Sequence, residues 1–233
     1  MSNMKNFTII KFFLVFIVAT IVISSIQFAK RLNNQSEVKS LIAQIQKYDA
    51  AINNFTVKYQ ALPGDTANTQ VYGITEENTD GNFDNSVTDI NHNIISANGE
   101  ITNFWLHLSS SKMLDEKFDG KSGSAAKTGR TFPLSNLGKG VGIITYSAEG
   151  KTYYQIGFDY ADDQKIHTKQ NSLESSEAFL LDKKIDDGNP FEGRVVVAGG
   201  SSLNITKNND CANFDEYNLS LKNPVCQLRI EIE

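Results

Sequence analysis

The sequence predicts an α+β protein: a long N-terminal helix, half suited to a membrane and half amphipathic, packed on a small antiparallel β-sheet with long loops. Three observations predict it. Phe12 to Ala29 is eighteen residues without a charge, bracketed by Lys5 and Lys11 before it and Lys30–Arg31 after it. Directly beyond, Val38, Leu41, Ile42, Ile45, Tyr48, Ile52, Phe55 and Tyr59 recur every three or four residues, the period of an apolar helical stripe. Further on, two β-rich runs, Val141 to Tyr146 and Lys151 to Phe158, flank a turn at Ala148–Gly150 and read as a hairpin.

The helix comes first. At ~1.5 Å per residue, the uncharged stretch covers ~27 Å, the thickness of a hydrocarbon core. Neither proline nor glycine occurs between Phe7 and Tyr59, so both halves fit one rod of about 53 residues and ~80 Å. Leu62-Pro-Gly-Asp65 should end it, because proline disfavours a helical residue before it and glycine permits a sharp reversal. Residues 64 to 100 are dense in Asp, Asn, Thr and Gly and read as a long surface segment. Glu100 to Ser109 follows as a short amphipathic helix, with Phe104, Trp105 and Leu108 on one face, Met113 and Leu114 extending it, and the only tryptophan set against the rod. Residues 119 to 130 read as a flexible loop. After the hairpin, Ser175 to Lys184 reads as a second short helix. Gly193–Ala198 and Cys226–Ile232 read as strands, the latter placing Leu228, Ile230 and Ile232 on one face.

Composition narrows the function. The formal charge is −5 and the pI about 5.3, and bases cluster only beside the apolar segment. No basic stripe is available to follow a phosphate backbone, so nucleic acid is excluded as a partner. No Gly-x-Ser-x-Gly, His-Glu-x-x-His or phosphate loop occurs, and His92, His107 and His167 are scattered, so no catalytic set can be assembled and no small-molecule substrate is expected. Gly138-Lys-Gly140 and Gly199-Gly-Ser201 read as turns.

Cys211 and Cys226 are the only cysteines. Behind a membrane segment they read as one disulfide in an oxidising compartment, with two unpaired buried thiols as the alternative. No Cys-x-x-Cys or neighbouring histidine supports a metal pair. The apolar segment reads as an uncleaved anchor rather than a secretory signal, since no A-x-A-like site follows it.

Asp80-x-Asn82-x-Asp84, with Asp89 further on, has the alternating oxygen donors of a calcium loop, which makes calcium the one cofactor the pattern suggests. It departs from an EF-hand at Asn85, where glycine is needed, and at Asn91, where the bidentate glutamate belongs. A solvated Asx-rich turn is the favoured reading of this run, with calcium as the alternative, and Asp186-Asp187-Gly188 reads as a turn rather than a second cation site.

Phe7-Thr-Ile-Ile, Lys58-Tyr-Gln-Ala-Leu-Pro-Gly-Asp65, Asp80-Gly-Asn82, Phe104-Trp-Leu-His-Leu108 and Lys184-Ile-Asp-Asp-Gly188, in this order and with the C-terminal cysteine pair, resemble the type IV pilin and type II secretion pseudopilin superfamily. That superfamily opens on a short basic leader and a prepilin-type methylation motif. The resemblance implies a leader at 1–6, a transmembrane helix at 7–30, its amphipathic continuation at 31–62 and a globular domain at 63–233. It also implies a single-pass inner-membrane protein, N-terminus cytoplasmic and globular domain periplasmic, whose partners are other pilin or pseudopilin subunits or secretion-platform proteins. Some pseudopilins bind calcium in a loop. Two positions depart from the pattern. Asn6 stands before Phe7 at the processing junction, where the family has the glycine that its peptidase cuts after. Lys11 stands where the family has a glutamate thought to pair with a neighbour's amino terminus. The functional expectation is a minor or degenerate structural subunit of a type II secretion or type IV pilus-like assembly. The alternative is an anchored extracytoplasmic binding module that uses the scaffold without forming filaments.

Overall fold

The structure, a computed structural model, describes residues 2–66, 81, 84–88, 97–138, 140–160, 166–168, 173–198 and 210–233, with the backbone alone at 2–11, 31, 124, 157–160 and 166–168. The chain divides into two units, Met1–Glu37 and Val38–Glu233. Helix α1, Ser2–Tyr59, runs through the boundary between them. It starts ahead of Phe7, so the residues read as a leader are helical as well. It stops three residues before Leu62, where Gln60 turns left-handed at φ 59° and its N–H closes on Thr56 O at 2.8 Å.

In the first unit the helix exposes every apolar side chain from Phe12 to Phe28; Phe12 itself is 73% exposed. Three of its hydroxyls bond locally: Thr20 donates to Ile17 O, Ser24 to Thr20 O and Ser25 to Ile21 O, each at 2.8 Å. Among the described residues one helix is long and apolar enough to cross a membrane, and it is this one.

In the second unit the remainder of α1 is a core element. Val38, Leu41, Ile45, Tyr48, Ala51, Ile52 and Phe55 are buried, with Ile42 and Tyr59 partly so, as the stripe predicts. One polar residue shares this face. The buried Gln44 amide donates to Leu134 O (2.7 Å) and accepts from Asn136 N–H (2.8 Å), which fastens the loop before the hairpin onto the helix.

Helix α2, Gly99–Ser110, brings Trp105 against Tyr48 with ring centroids 4.8 Å apart. It is less amphipathic than the sequence suggests, because everything from Gly99 to Leu108 is buried. Met113 and Leu114 do not extend it; both N–H groups fold back onto Leu108 O in a turn. Residues 119–130, expected as a loose loop, are held instead. Asp119 accepts from the Thr131 hydroxyl at 2.8 Å and pairs with Arg130 at 3.0 Å, and a 3₁₀ turn spans Gly123–Ala125.

The hairpin forms as read. Strands β1, Gly142–Ala148, and β2, Lys151–Tyr160, join through Glu149 and Gly150, both at positive φ, as a primed two-residue turn requires. Short strands β3 (Ile166–Thr168) and β4 (Leu173–Glu174) precede helix α3, Ser175–Ile185, which opens on a capping box between Glu174 and Glu177. Strand β5 (Val195–Val197), the small hairpin β6 (Ala212–Asn213) and β7 (Glu216–Tyr217), and strands β8 (Pro224–Cys226) and β9 (Leu228–Glu231) complete the order. The main sheet runs β1-β2-β9-β5, all antiparallel, with β3 on the far half of β2. The segment read as one strand, Cys226–Ile232, is thus split: β8 leaves to pair with β4 while β9 stays in the main sheet.

One charged cluster ties this sheet to α1. Arg194 donates to Asp49 at 2.9 Å and to Glu231 O at 2.8 Å, and the Tyr154 hydroxyl donates to the other Asp49 oxygen at 3.0 Å. Burial pushes the Asp49 carboxyl above its ordinary range despite the pull of Arg194 and Tyr154. Removing the guanidinium leaves a mostly buried anion without its cation. Arg194→Ala is therefore expected to cost about 2–3 kcal/mol in denaturant unfolding. Adding Asp49→Asn should return part of that loss, which loss of packing alone would not allow.

Candidate functional site

The calcium reading is the first to locate. Of its four expected ligands, Asp84 lies among the described residues, while Asp80, Asn82 and Asp89 lie outside them. The fold brings Asp84 to two carboxylates that the pattern did not include, Asp65 and Glu100. Ligand oxygens of the three lie within 4.8 Å of one another. Asp65, 1% exposed, follows the Pro63–Gly64 reversal, and Glu100, 2% exposed, sits in the first turn of α2, where the helix dipole favours an anion.

What these carboxylates do within the protein is visible. The Asp65 side chain accepts the backbone N–H groups of Asp84 (3.2 Å) and Asn85 (2.9 Å), and Glu100 Oε2 accepts that of Thr88 (2.9 Å). Asp84 in turn accepts Ser86 N–H at 2.9 Å, and Asn85 holds a left-handed conformation at φ 63°. Gly81 presses on the Asp65–Thr66 backbone so closely that a Cβ would lie 2.5 Å from it. The arrangement is a turn stapled by buried carboxylates, in an oxygen-rich setting of the kind hard cations prefer.

The reversal that delivers Asp65 depends on His107. Gly64, at φ 90°, donates its N–H to His107 Nδ1 at 2.9 Å, and a Cβ on Gly64 would lie 2.5 Å from Glu100 O. The ring stacks on Phe55 and its Nε2 makes no hydrogen bond among the described residues. Because Nδ1 accepts, the proton sits on Nε2. This is a packed structural histidine. His92 lies outside the described residues, and for His167, in β3, only the backbone is described.

Burial lowers the His107 pKa to about 4. The native ring refuses a proton that the unfolded ring accepts, so stability should fall as pH drops from about 6.5 to about 4, by about 3 kcal/mol at full effect. Asp182 works in the opposite sense. Burial raises its carboxyl to about 6, so the native state takes up the proton first and gains stability below that pH. The comparison that isolates the histidine is His107→Gln, whose amide oxygen can still accept from Gly64. The stability difference between wild type and variant should shift in favour of the variant as pH falls from 6.5 to 4. A constant difference would contradict the assignment.

A second acidic group, Asp182, Asp186 and Asp187, is likewise committed to structure. Asp182 accepts from the Tyr217 hydroxyl (2.7 Å) and from Gly188 N–H (3.0 Å). Asp186 accepts from the N–H groups of Arg194 and Val195, and Asp187 from Asn189 N–H. The turn reading of Asp186-Asp187-Gly188 describes what is there.

Cys211 and Cys226 form a disulfide, and both are buried. It joins the start of the β6–β7 hairpin to β8. Asn6, Phe7 and Lys11 all fall within α1. Sequence reasoning missed Asp65, Glu100 and Asp182 as organising residues; the available signals were an acid directly after Pro-Gly, one in a helix's first turn, and one at the end of a helix that stops at Asp-Asp-Gly. No protein-family model matches the chain, and no curated protein or solved structure matches it.

Proposed function

We propose that this chain is a membrane-anchored structural subunit of the pilin and pseudopilin type, a minor or degenerate component of a type II secretion or type IV pilus-like assembly. Its role is architectural rather than enzymatic. The segment Phe12 to Ala29 lies in an inner membrane, the N-terminus is cytoplasmic, and the disulfide-bonded unit is periplasmic. One observation carries the reading: a single helix, Ser2–Tyr59, exposes its apolar side chains from Phe12 to Phe28 and is a core element of the globular unit from Val38 onward. The local bonds of Thr20, Ser24 and Ser25 are compatible with it, since they leave these hydroxyls paired where water is absent. The disulfide supports an oxidising compartment for the C-terminal part.

Asn6 and Lys11 make the subunit atypical. With asparagine at the processing junction, the chain stays uncleaved. With lysine at position 11, two neighbouring N-termini would bring like charges together, a repulsion of about 4 kcal/mol at 4 Å and an effective dielectric of 20. The lysine itself is tolerated near the interface because it can snorkel. The subunit therefore self-polymerises poorly and enters a filament beside a partner with a free carboxylate. Mass spectrometry of the mature N-terminus tests processing, with an intact leader expected and a chain starting at methylated Phe7 overturning it. Co-purification with a secretion ATPase-platform complex tests assembly. A specific soluble ligand and no assembly partner would favour the binding-module reading. Incorporation should rise when Lys11→Glu is combined with Asn6→Gly; wild-type homopolymers, or no effect of the double change, would overturn the account of Lys11.

A further inference from the structure

The β6–β7 hairpin carries an exposed aromatic side chain at its tip. Phe214 is the first of the two residues connecting the strands and sits at φ 55°, in the left-handed region that two-residue hairpins normally assign to glycine or asparagine. Its ring is 75% exposed, so packing does not compensate that conformation, and Leu219 beside it is 54% exposed. Residues 213–220 line an open groove of about 700 Å³. The platform beneath is rigidly held: Cys211 is tied to Cys226, Asn218 N–H donates to Cys211 O at 2.8 Å, and the Tyr217 hydroxyl is bound to Asp182.

Among the described residues, the charges on the hairpin tip itself are acidic. Asp210, Asp215 and Glu216 are exposed, and among the described residues none of them makes an ion pair. From Asp210 to Leu221 the charged residues are all acids, and the exposed Lys222 follows at the far end of the segment. An aromatic anchor ringed by unpaired carboxylates fits a surface with an apolar socket flanked by lysine or arginine, because the aromatic supplies affinity and the charges select orientation. We propose that the Phe214 tip is a docking surface for a protein partner with a basic-rimmed apolar socket. The proposal goes beyond the pilin-like reading and holds whether or not Phe12 to Ala29 lies in a membrane.

A benzophenone amino acid placed at Leu219 in the full-length chain, expressed in its own cells, tests it. The expected result is a cross-link to a protein segment rich in lysine or arginine. Phe214→Asn, and separately Asp215→Lys with Glu216→Lys, should each reduce the adduct roughly tenfold, as loss of a central anchor or of charge matching does. Phe214→Asn should melt no lower than wild type, since asparagine tolerates the left-handed position. Reversing the partner's basic residues to glutamate should restore capture by the Asp215→Lys, Glu216→Lys variant. No adduct, an adduct to lipid or to a second copy of this chain, or an adduct insensitive to both changes would overturn the proposal.

Discussion

Trp105→Ala is expected to destabilise the globular unit by about 3–5 kcal/mol, the range for deleting a large aromatic from a packed core. Trp105 is fully buried, and four rings surround it: Tyr48 from α1 at 4.8 Å, Phe104 at 5.3 Å, Phe118 at 5.7 Å and Tyr154 from β2 at 6.3 Å. It is the residue through which helix, α2 and sheet meet, so the void would have no single neighbour able to fill it. Trp105→Phe should cost less, because most of the ring is kept and the void is smaller. The indole N–H has no partner among the described residues, so phenylalanine removes a buried donor that nothing satisfies. Denaturant unfolding followed by circular dichroism checks both. A loss below about 1 kcal/mol for the alanine variant would show that the three elements do not share this core.

Opening the disulfide is expected to cost about 3 kcal/mol in the chain-entropy model, given a separation of 15 residues between Cys211 and Cys226. For a domain of this size that corresponds to a fall in Tm of roughly 6–12 °C. The bond also has a packing role. Cys226 pairs in register with Leu173 of β4, the strand that leads into α3, and the Cys211 end carries the hairpin whose Tyr217 reaches Asp182. Cys226→Ser and reductant should therefore give similar losses, and the two should not add. Equal Tm with and without reductant would count decisively against it.

Much of the fold was readable because it rests on local rules. The i, i+3, i+4 recurrence from Val38 to Tyr59 marks one face of a helix irrespective of what covers it, and those residues lie in the core or, for Ile42 and Tyr59, pack against it. The β1–β2 hairpin was readable because Glu149–Gly150 can adopt the two positive φ values its turn needs. The α3 helix carries its start in Glu174 and Glu177. The readings that fell short were those set by distant partners. The end of α2 at Ser110 and the order of residues 119–130 depend on bonds such as Asp119 to Thr131, not on local apolar content. Strands of two or three residues, such as β4, β6 and β8, are too short to show a period at all.

The candidate site divides along the same line. The Asp-rich run around Asp84 was visible as composition, and the cysteine pair as spacing in a chain with an apolar N-terminus. That Asp84 meets Asp65 and Glu100 was not visible, because a carboxylate that accepts backbone N–H groups from a separate loop has no sequence period and no motif. The same holds for His107 with Gly64, 43 residues apart, and for Arg194 with Asp49, 145 apart. By itself the sequence determined the elements whose stability comes from neighbours along the chain: the exposed apolar helix, its amphipathic continuation, the tight hairpin and the capped helix. Only the tertiary structure decided which buried polar groups satisfy one another, since burying an unpaired donor or carboxylate costs free energy that only a partner elsewhere in the chain can offset.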